Sequence, residues 1–192
     1  MIMLNAFHRI TRRFATRAFA LLVIALAFGW VHAQTPGELS EYDLKTAFLY
    51  QFTLYVQWPT TRLRNASDPL VFGVVGTQEM ASNLQQLTAS NVQGHPIEVR
   101  QLAPGDDVSG LHVLFVTKDQ EANATDMLRD AAANSVLAVT ENSDGMPEYS
   151  IINFALEDGK VRFDVSLTNA QMAMLGISSR LLQIARSVAG QP

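Results

Sequence analysis

Short apolar runs alternating with amphipathic stretches constrain this chain more than any other feature. Leu70-Val71-Phe72-Gly73-Val74-Val75-Gly76, His112-Val113-Leu114-Phe115-Val116 and residues 136–140 are short and rich in β-branched side chains. Bounded runs of this kind read as strands buried on both faces. Between them lie segments of helical period. Residues 78–87 carry Met80, Leu84 and Leu87 as an inner row, and residues 121–133 turn Ala124, Met127, Leu128 and Ala131 inward. Strands separated by helices pair in parallel, and their crossovers cover the sheet. Residues 97–102 alternate like a half-exposed strand. Asp158-Gly159, between apolar residues 151–157 and 160–166, is the strongest hairpin signal in the chain and adds an antiparallel strand at an edge. The expectation is an α/β fold. It is a three-layer sandwich whose mixed, mostly parallel sheet has about six strands with helices on both faces.

A further helix is written into residues 44–59. Leu44, Ala47, Phe48, Phe52, Tyr55 and Val56 fall on one face, and Tyr50, Leu54 and Trp58 form a second row beside it. Pro59 disfavours helical geometry at Trp58, so the helix is expected to end near there. Ser40 with Asp43 has the spacing of a weak capping box, and Thr168 with Gln171 repeats it at the start of a later helix. Gly176 is expected to interrupt that helix. Ser178 or Ser179 then caps a last one, with Leu181, Leu182, Ala185 and Val188 as its apolar positions.

The first 33 residues have a different composition. Arg9, Arg12, Arg13 and Arg17 stand without a single acid, and residues 18–29 are apolar but too short for an ordinary membrane span. Val31-His32-Ala33 suits a cleavage site. These are the parts of a secretory signal peptide, with an uncleaved anchor as the alternative. Phe14 directly follows Arg12-Arg13, which favours ordinary secretion over the twin-arginine route. The expected organisation is a leader over 1–33, cleaved after Ala33, and a single exported domain over 34–192. The whole chain has 14 Lys+Arg against 18 Asp+Glu. Without the four leader arginines the balance is 10 against 18, a net charge of −8. So acidic a body is a poor nucleic-acid binder. Cysteine is absent, which excludes thiol catalysis, thiolate metal sites and disulfide switches.

No constellation of catalytic residues emerges. Outside the leader the histidines are His95, in a Gly-His-Pro turn, and His112, at the head of a buried strand. Gly76 stands at a strand-to-helix turn but lacks a Gly-x-Gly-x-x-Gly pattern or a Walker lysine, so a tight turn explains it. Asn142-Ser143-Asp144-Gly145 does not fit the phase of a calcium loop. Asp106-Asp107 has no nearby group to complete a metal or acid–base pair. Neither cofactor nor metal is expected, and the chain reads as a non-enzyme.

Three segments carry a family likeness. They are Leu44-Lys45-Thr46-Ala47-Phe48-Leu49-Tyr50-Gln51-Phe52 with Trp58-Pro59, Ile152-Asn153-Phe154 followed by Gly159-Lys160-Val161-Arg162-Phe163, and residues 177–185 around Ile177-Ser178-Ser179-Arg180-Leu181-Leu182. Together they resemble the YfiR-like family of small periplasmic proteins across nearly the whole body of the chain. The resemblance implies a repressor that binds the periplasmic part of an inner-membrane diguanylate cyclase and lowers cyclic di-GMP without doing chemistry. Where many members carry Cys, this chain has Gly73 and Leu111. Ser166 replaces a frequent Asn. Residues 149–151 replace a frequent Gly-Gly. A redox-sensing role is therefore not carried over. The alternative is a small-ligand-binding or accessory protein of a sensor kinase or transport system, and homodimer formation is left open. Contact with a partner is expected near the hairpin and the C-terminal segment, at Phe154, Phe163, Ile177 and Arg180.

Overall fold

The computed structural model describes residues 40–65 and 67–190. The leader and its cleavage after Ala33 lie outside the described residues. The body starts where Ser40 accepts Asp43 N–H at 3.0 Å while Asp43 accepts Ser40 N–H at 2.9 Å, a reciprocal cap. Helix α1, Glu41–Tyr55, follows. It stops short of Trp58, because Val56–Gln57 turns extended as β1. β1 pairs antiparallel with a later segment, Gly176–Ile177, placing Val56 opposite Ile177. Ser178 N–H then satisfies the carbonyl of Tyr55 at 2.9 Å.

The buried side of α1 also differs from the expected row. Lys45, Thr46, Leu49, Phe52 and Thr53 face inward, whereas Leu44 and Ala47 are exposed. Thr46 and Thr53 can be buried because each hydroxyl bonds a carbonyl of its own helix at 2.6 Å. Lys45 can be buried because it is ion-paired. Polar residues with internal partners therefore take the places expected of Leu44 and Ala47, while Phe52 and Val56 of the expected row stay buried.

The chain continues through β2 (Leu70–Val75), α2 (Gln78–Gln86), β3 (Asn91–Val92), β4 (His95–Leu102), β5 (Val113–Val116) and α3 (Thr125–Ala133). Then come β6 (Leu137–Glu141), β7 (Ile152–Glu157), β8 (Lys160–Ser166), α4 (Leu167–Met172), β9 (Gly176–Ile177), α5 (Ser179–Ile184) and β10 (Ser187–Ala189). Eight strands form one sheet in the order β10-β8-β7-β6-β5-β2-β4-β3. Within this sheet, among the described residues, only β7 with β8 and β3 with β4 pair antiparallel. The sheet is mostly parallel, as expected, but has eight strands rather than six. The additions, β3 and β10, are too short to show any period.

Each face of the sheet has its own core. Phe72, Val74, Phe115, Val139, Phe154 and Phe163 pack beneath α1 and α2. Val71, Val75, Leu114, Val116 and Ala138 pack against α3. Helices thus cover both faces. Gly76, at φ +124°, needs its missing Cβ: one would stand 1.9 Å from Thr117 Oγ1. A polar knot is buried between β6 and β7. There Asn153 accepts from Thr140 Oγ1 and from Asn142 N–H at 2.9 Å, and donates to Asn142 C=O at 2.8 Å. The Ile-Asn-Phe of the sequence thus has a structural centre, since Asn153 meets both backbone groups of Asn142 at the start of the preceding loop.

The C-terminal segment departs from the helix expected through Val188. Helix α5 ends at Ile184. Arg186 then donates through its backbone to Phe163 C=O at 2.8 Å and through Nε to Asp164 Oδ1 at 2.9 Å. Ser187 Oγ reaches the same carboxylate at 2.7 Å. These bonds pull residues 187–189 into the sheet as β10, parallel to Asp164–Ser166. The hairpin is therefore not the free edge that Asp158-Gly159 suggested. Its outer strand is half covered.

Candidate functional site

The polar centre of the molecule lies where the first turn of α1 meets the C-terminal end of β6. Lys45 Nζ pairs with Glu141 and, one helical turn back, with Glu41. Tyr42 donates its hydroxyl to Glu141 Oε1 at 3.0 Å, and Lys118 N–H approaches the same oxygen at 3.4 Å. The Lys45 ammonium also stands 5.0 Å from the ring centre of Tyr42 and 6.0 Å from that of Phe154. Burial, followed by the charge and hydrogen bond of Glu141, pushes the Tyr42 phenol up from its ordinary value. Both oxygens of Glu141 are thus occupied, and the cluster works as a clasp between α1 and the sheet. Sequence reasoning missed it. The available signal was the row Lys45, Leu49, Phe52, Val56, which fits a helix face as well as the row chosen, with Glu41 at i−4 to neutralise the lysine.

Two hollows flank this clasp and share Glu41 and Leu156. One, of about 140 Å³, includes Lys45, Glu141 and Ser143. The other, of about 440 Å³, runs between Leu44 and Phe48 of α1 and residues 159–162 of the hairpin. Of its lining, Phe48 belongs to a cluster of phenyl rings in the core beneath α1. Phe52 lies 4.9 Å from Phe163 and 5.5 Å from Phe154, and Phe48 lies 5.7 Å from Phe163.

The residues singled out from sequence separate into two groups. Phe154 and Phe163 are only 1% and 2% exposed and support the hairpin from beneath. Ile177 is half-buried in the β1–β9 ribbon, and Arg180 is exposed at the start of α5. The segments on either side of this pair also expose apolar side chains. Met172, Met174 and Ile184 are 52%, 66% and 63% exposed, the three highest values among large hydrophobic side chains of the described residues. Met174 also adopts φ +55°, ending α4 in the left-handed position usually given to Gly or Asn.

Among the described residues no three His, Asp or Glu side chains gather as a metal site. His112 is buried and satisfied. Val71 N–H donates to its Nδ1 at 3.1 Å, which places the proton on Nε2, 3.4 Å from Arg62 C=O. Burial pushes its pKa down, only partly offset by the bond to Arg62. The unfolded chain therefore takes up a proton that the folded chain refuses. Stability is expected to be complete above the ordinary histidine value of about 6.5 and to fall below it, by up to about 1.4 kcal/mol per pH unit. Urea melts at neutral and mildly acidic pH will show this slope, and His112→Gln will flatten it. An equal slope in the variant would assign it to other groups.

Gly73 and Leu111 are neighbours across the sheet. A Cβ on Gly73 would lie 2.5 Å from Leu111 Cδ1, so the leucine fills the space that the glycine leaves.

A family model described as YfiR/HmsC-like matches residues 42–186. No curated protein matches. Among solved structures, a conserved domain protein from Vibrio cholerae O1 biovar El Tor strain N16961 is similar, with a TM-score of 0.49 and 14% identity. The match covers 79% of this chain and 61% of that one.

Proposed function

We propose, from the premise that this chain belongs to the YfiR/HmsC-like family, that it is a periplasmic regulator. On this reading it binds the periplasmic part of an inner-membrane diguanylate cyclase and holds cyclic di-GMP down by stoichiometric contact. The residues 1–33 leader, cut after Ala33, delivers it there. Among the described residues no helix is long and apolar enough to cross a membrane. The observation that carries the reading is the surface around α4 and α5. Among the described residues Met172, Met174 and Ile184, on the segments that flank half-buried Ile177 in the chain, are the most exposed large apolar side chains. Apolar area of this kind marks interaction surfaces. Arg180 at its margin adds a charged anchor of the type that interfaces favour.

Deleting the protein is expected to raise cellular cyclic di-GMP and biofilm, and the wild-type chain to restore both. Met174→Glu is the sharper test, since that side chain is 66% exposed and its loss spares the core. A central contact of this kind typically contributes about 2 kcal/mol, so binding to the cyclase should weaken roughly 30-fold with unchanged circular dichroism. Ile177→Glu should act in the same direction. Unchanged cyclic di-GMP on deletion refutes the repressor reading. The small-ligand alternative then gains weight, and one observation supports it: a hollow of about 340 Å³ lined by Trp58, Pro59, Leu63 and His95.

A further inference from the structure

Strand β8 is paired with β7 from Lys160 to Val165, but β10 covers only Asp164–Ser166 on its other side. Asp158 and Gly159 have φ +51° and +71°, the two-residue turn in which Glu157 and Lys160 form the first hydrogen-bonded pair. The alternation of an antiparallel ladder then turns the N–H and C=O of Val161 and Phe163 outward. The Phe163 carbonyl does receive a donor there, Arg186 N–H at 2.8 Å. Among the described residues no backbone group meets Val161 there. The bare stretch borders the hollow of about 440 Å³, whose walls include Leu44 and Leu156, 37% and 45% exposed.

The charges along this edge are unusual for the molecule. Among the described residues, Lys45, Arg100, Lys118, Arg129 and Arg186 pair with carboxylates. Arg62 and Arg64 donate to backbone carbonyls. Lys160, Arg162 and Arg180 are the remaining cations, and the first two flank Val161 on the exposed face of β8. Outside the leader the chain has 18 acids against 10 bases, yet among the described residues Lys160 and Arg162 form no ion pair, and the acid nearest in the ladder is Glu157, opposite Lys160. Lys and Arg at a bare edge repel a second copy of that edge. The same charges attract a strand of opposite sign.

We propose that the bare half of β8 takes an extended acidic segment of a protein partner as an added strand. Its backbone pairs with Val161, its apolar side chains enter the cleft beside Leu44 and Leu156, and its alternate carboxylates meet Lys160 and Arg162. This rests on the partner-binding reading above and names the chemistry of the partner.

The test uses the full mature chain and two fluorescent peptides, one alternating Val and Glu, the other Val and Lys. Anisotropy should show the Glu peptide binding about ten-fold more tightly, with the preference lost at high salt. Lys160→Glu/Arg162→Glu should reverse it. Both side chains are exposed, so the variant should fold, and Lys160→Ala/Arg162→Ala, which should abolish the preference, provides a milder control. Equal binding of the two peptides, or a preference indifferent to these substitutions, overturns the proposal. So does an alanine variant that dimerises while its peptide preference is intact, since the cations would then serve only to keep copies apart. The titration needs no cyclase, so its failure leaves the regulatory reading standing. Peptide binding by a chain whose deletion leaves cyclic di-GMP unchanged separates the two the other way.

Discussion

Phe154→Ala is expected to lower the free energy of unfolding by about 3–5 kcal/mol. The side chain is 1% exposed. Its ring lies 5.5 Å from Phe52, 6.1 Å from Phe48 and 6.4 Å from Phe115, and its strand partner in the hairpin is Phe163. Truncation removes the transfer energy of the ring, leaves a cavity under α1, and loses the stacked and edge contacts of three neighbours. Domains are stable by roughly 5–15 kcal/mol, so the loss is a large share of the total. A urea midpoint that falls sharply with an unchanged slope will confirm it. A loss below about 1 kcal/mol would mean that the rings are not packed as described. The outcome also governs how cellular assays are interpreted. A regulatory defect at Phe154 or Phe163 will report a missing fold, whereas one at Met174 reports a missing contact.

Glu141→Leu should cost about as much, for a different reason. Lys45 is 4% exposed and would keep only Glu41, which is itself 40% exposed, as its counter-charge. The Tyr42 hydroxyl and Lys118 N–H would lose their acceptor as well. Breaking one side of a buried pair typically costs about 3–5 kcal/mol, because the surviving charge stays buried without compensation. Removing both charges should be much milder. Lys45→Met/Glu141→Leu is expected to return to within about 1–2 kcal/mol of the wild type, the remainder coming from Tyr42. A double-mutant cycle on denaturant midpoints measures the difference. If the two single losses simply add, the clasp contributes nothing as a pair.

The parts of the fold that were legible in the sequence are those with a period long enough to count. Residues 70–75, 113–116 and 137–141 stand out because strands buried on both sides are continuously apolar. The hairpin shows through Asp158-Gly159, whose turn needs positive φ at both positions. β10 was not legible, because a three-residue strand has no period and owes its place to Asp164, more than twenty positions earlier. The same holds for Lys45. Its burial depends on Glu141, and no local pattern connects two residues on different elements. Ile177 follows the break that Gly176 signals, and the β1–β9 ribbon explains that break. The exposed methionines near it in the chain were passed over, because nothing in a helical period distinguishes an uncovered apolar residue from a covered one.

The half-covering of β8 by β10 has a consequence for hydrogen exchange. Residues 187–189 are held by three backbone pairings and by Asp164, whose carboxylate receives Arg186 and Ser187. Burial alone would raise the pKa of that carboxylate. The hydrogen bonds from Arg186 and Ser187, with the arginine charge, outweigh burial and hold it below the usual range. A carboxylate depressed in this way stabilises the fold above its ordinary pKa of about 3.9 and releases that stabilisation as pH falls through the lower folded value. Amides of β10 should therefore exchange through a small opening of their own, at a lower free energy than those of β2 or β5 in the middle of the sheet. Asp164→Asn should bring that opening closer to the closed state and leave the exchange of the central strands unchanged. On this expectation β10 melts as a separate unit before the rest of the sheet opens.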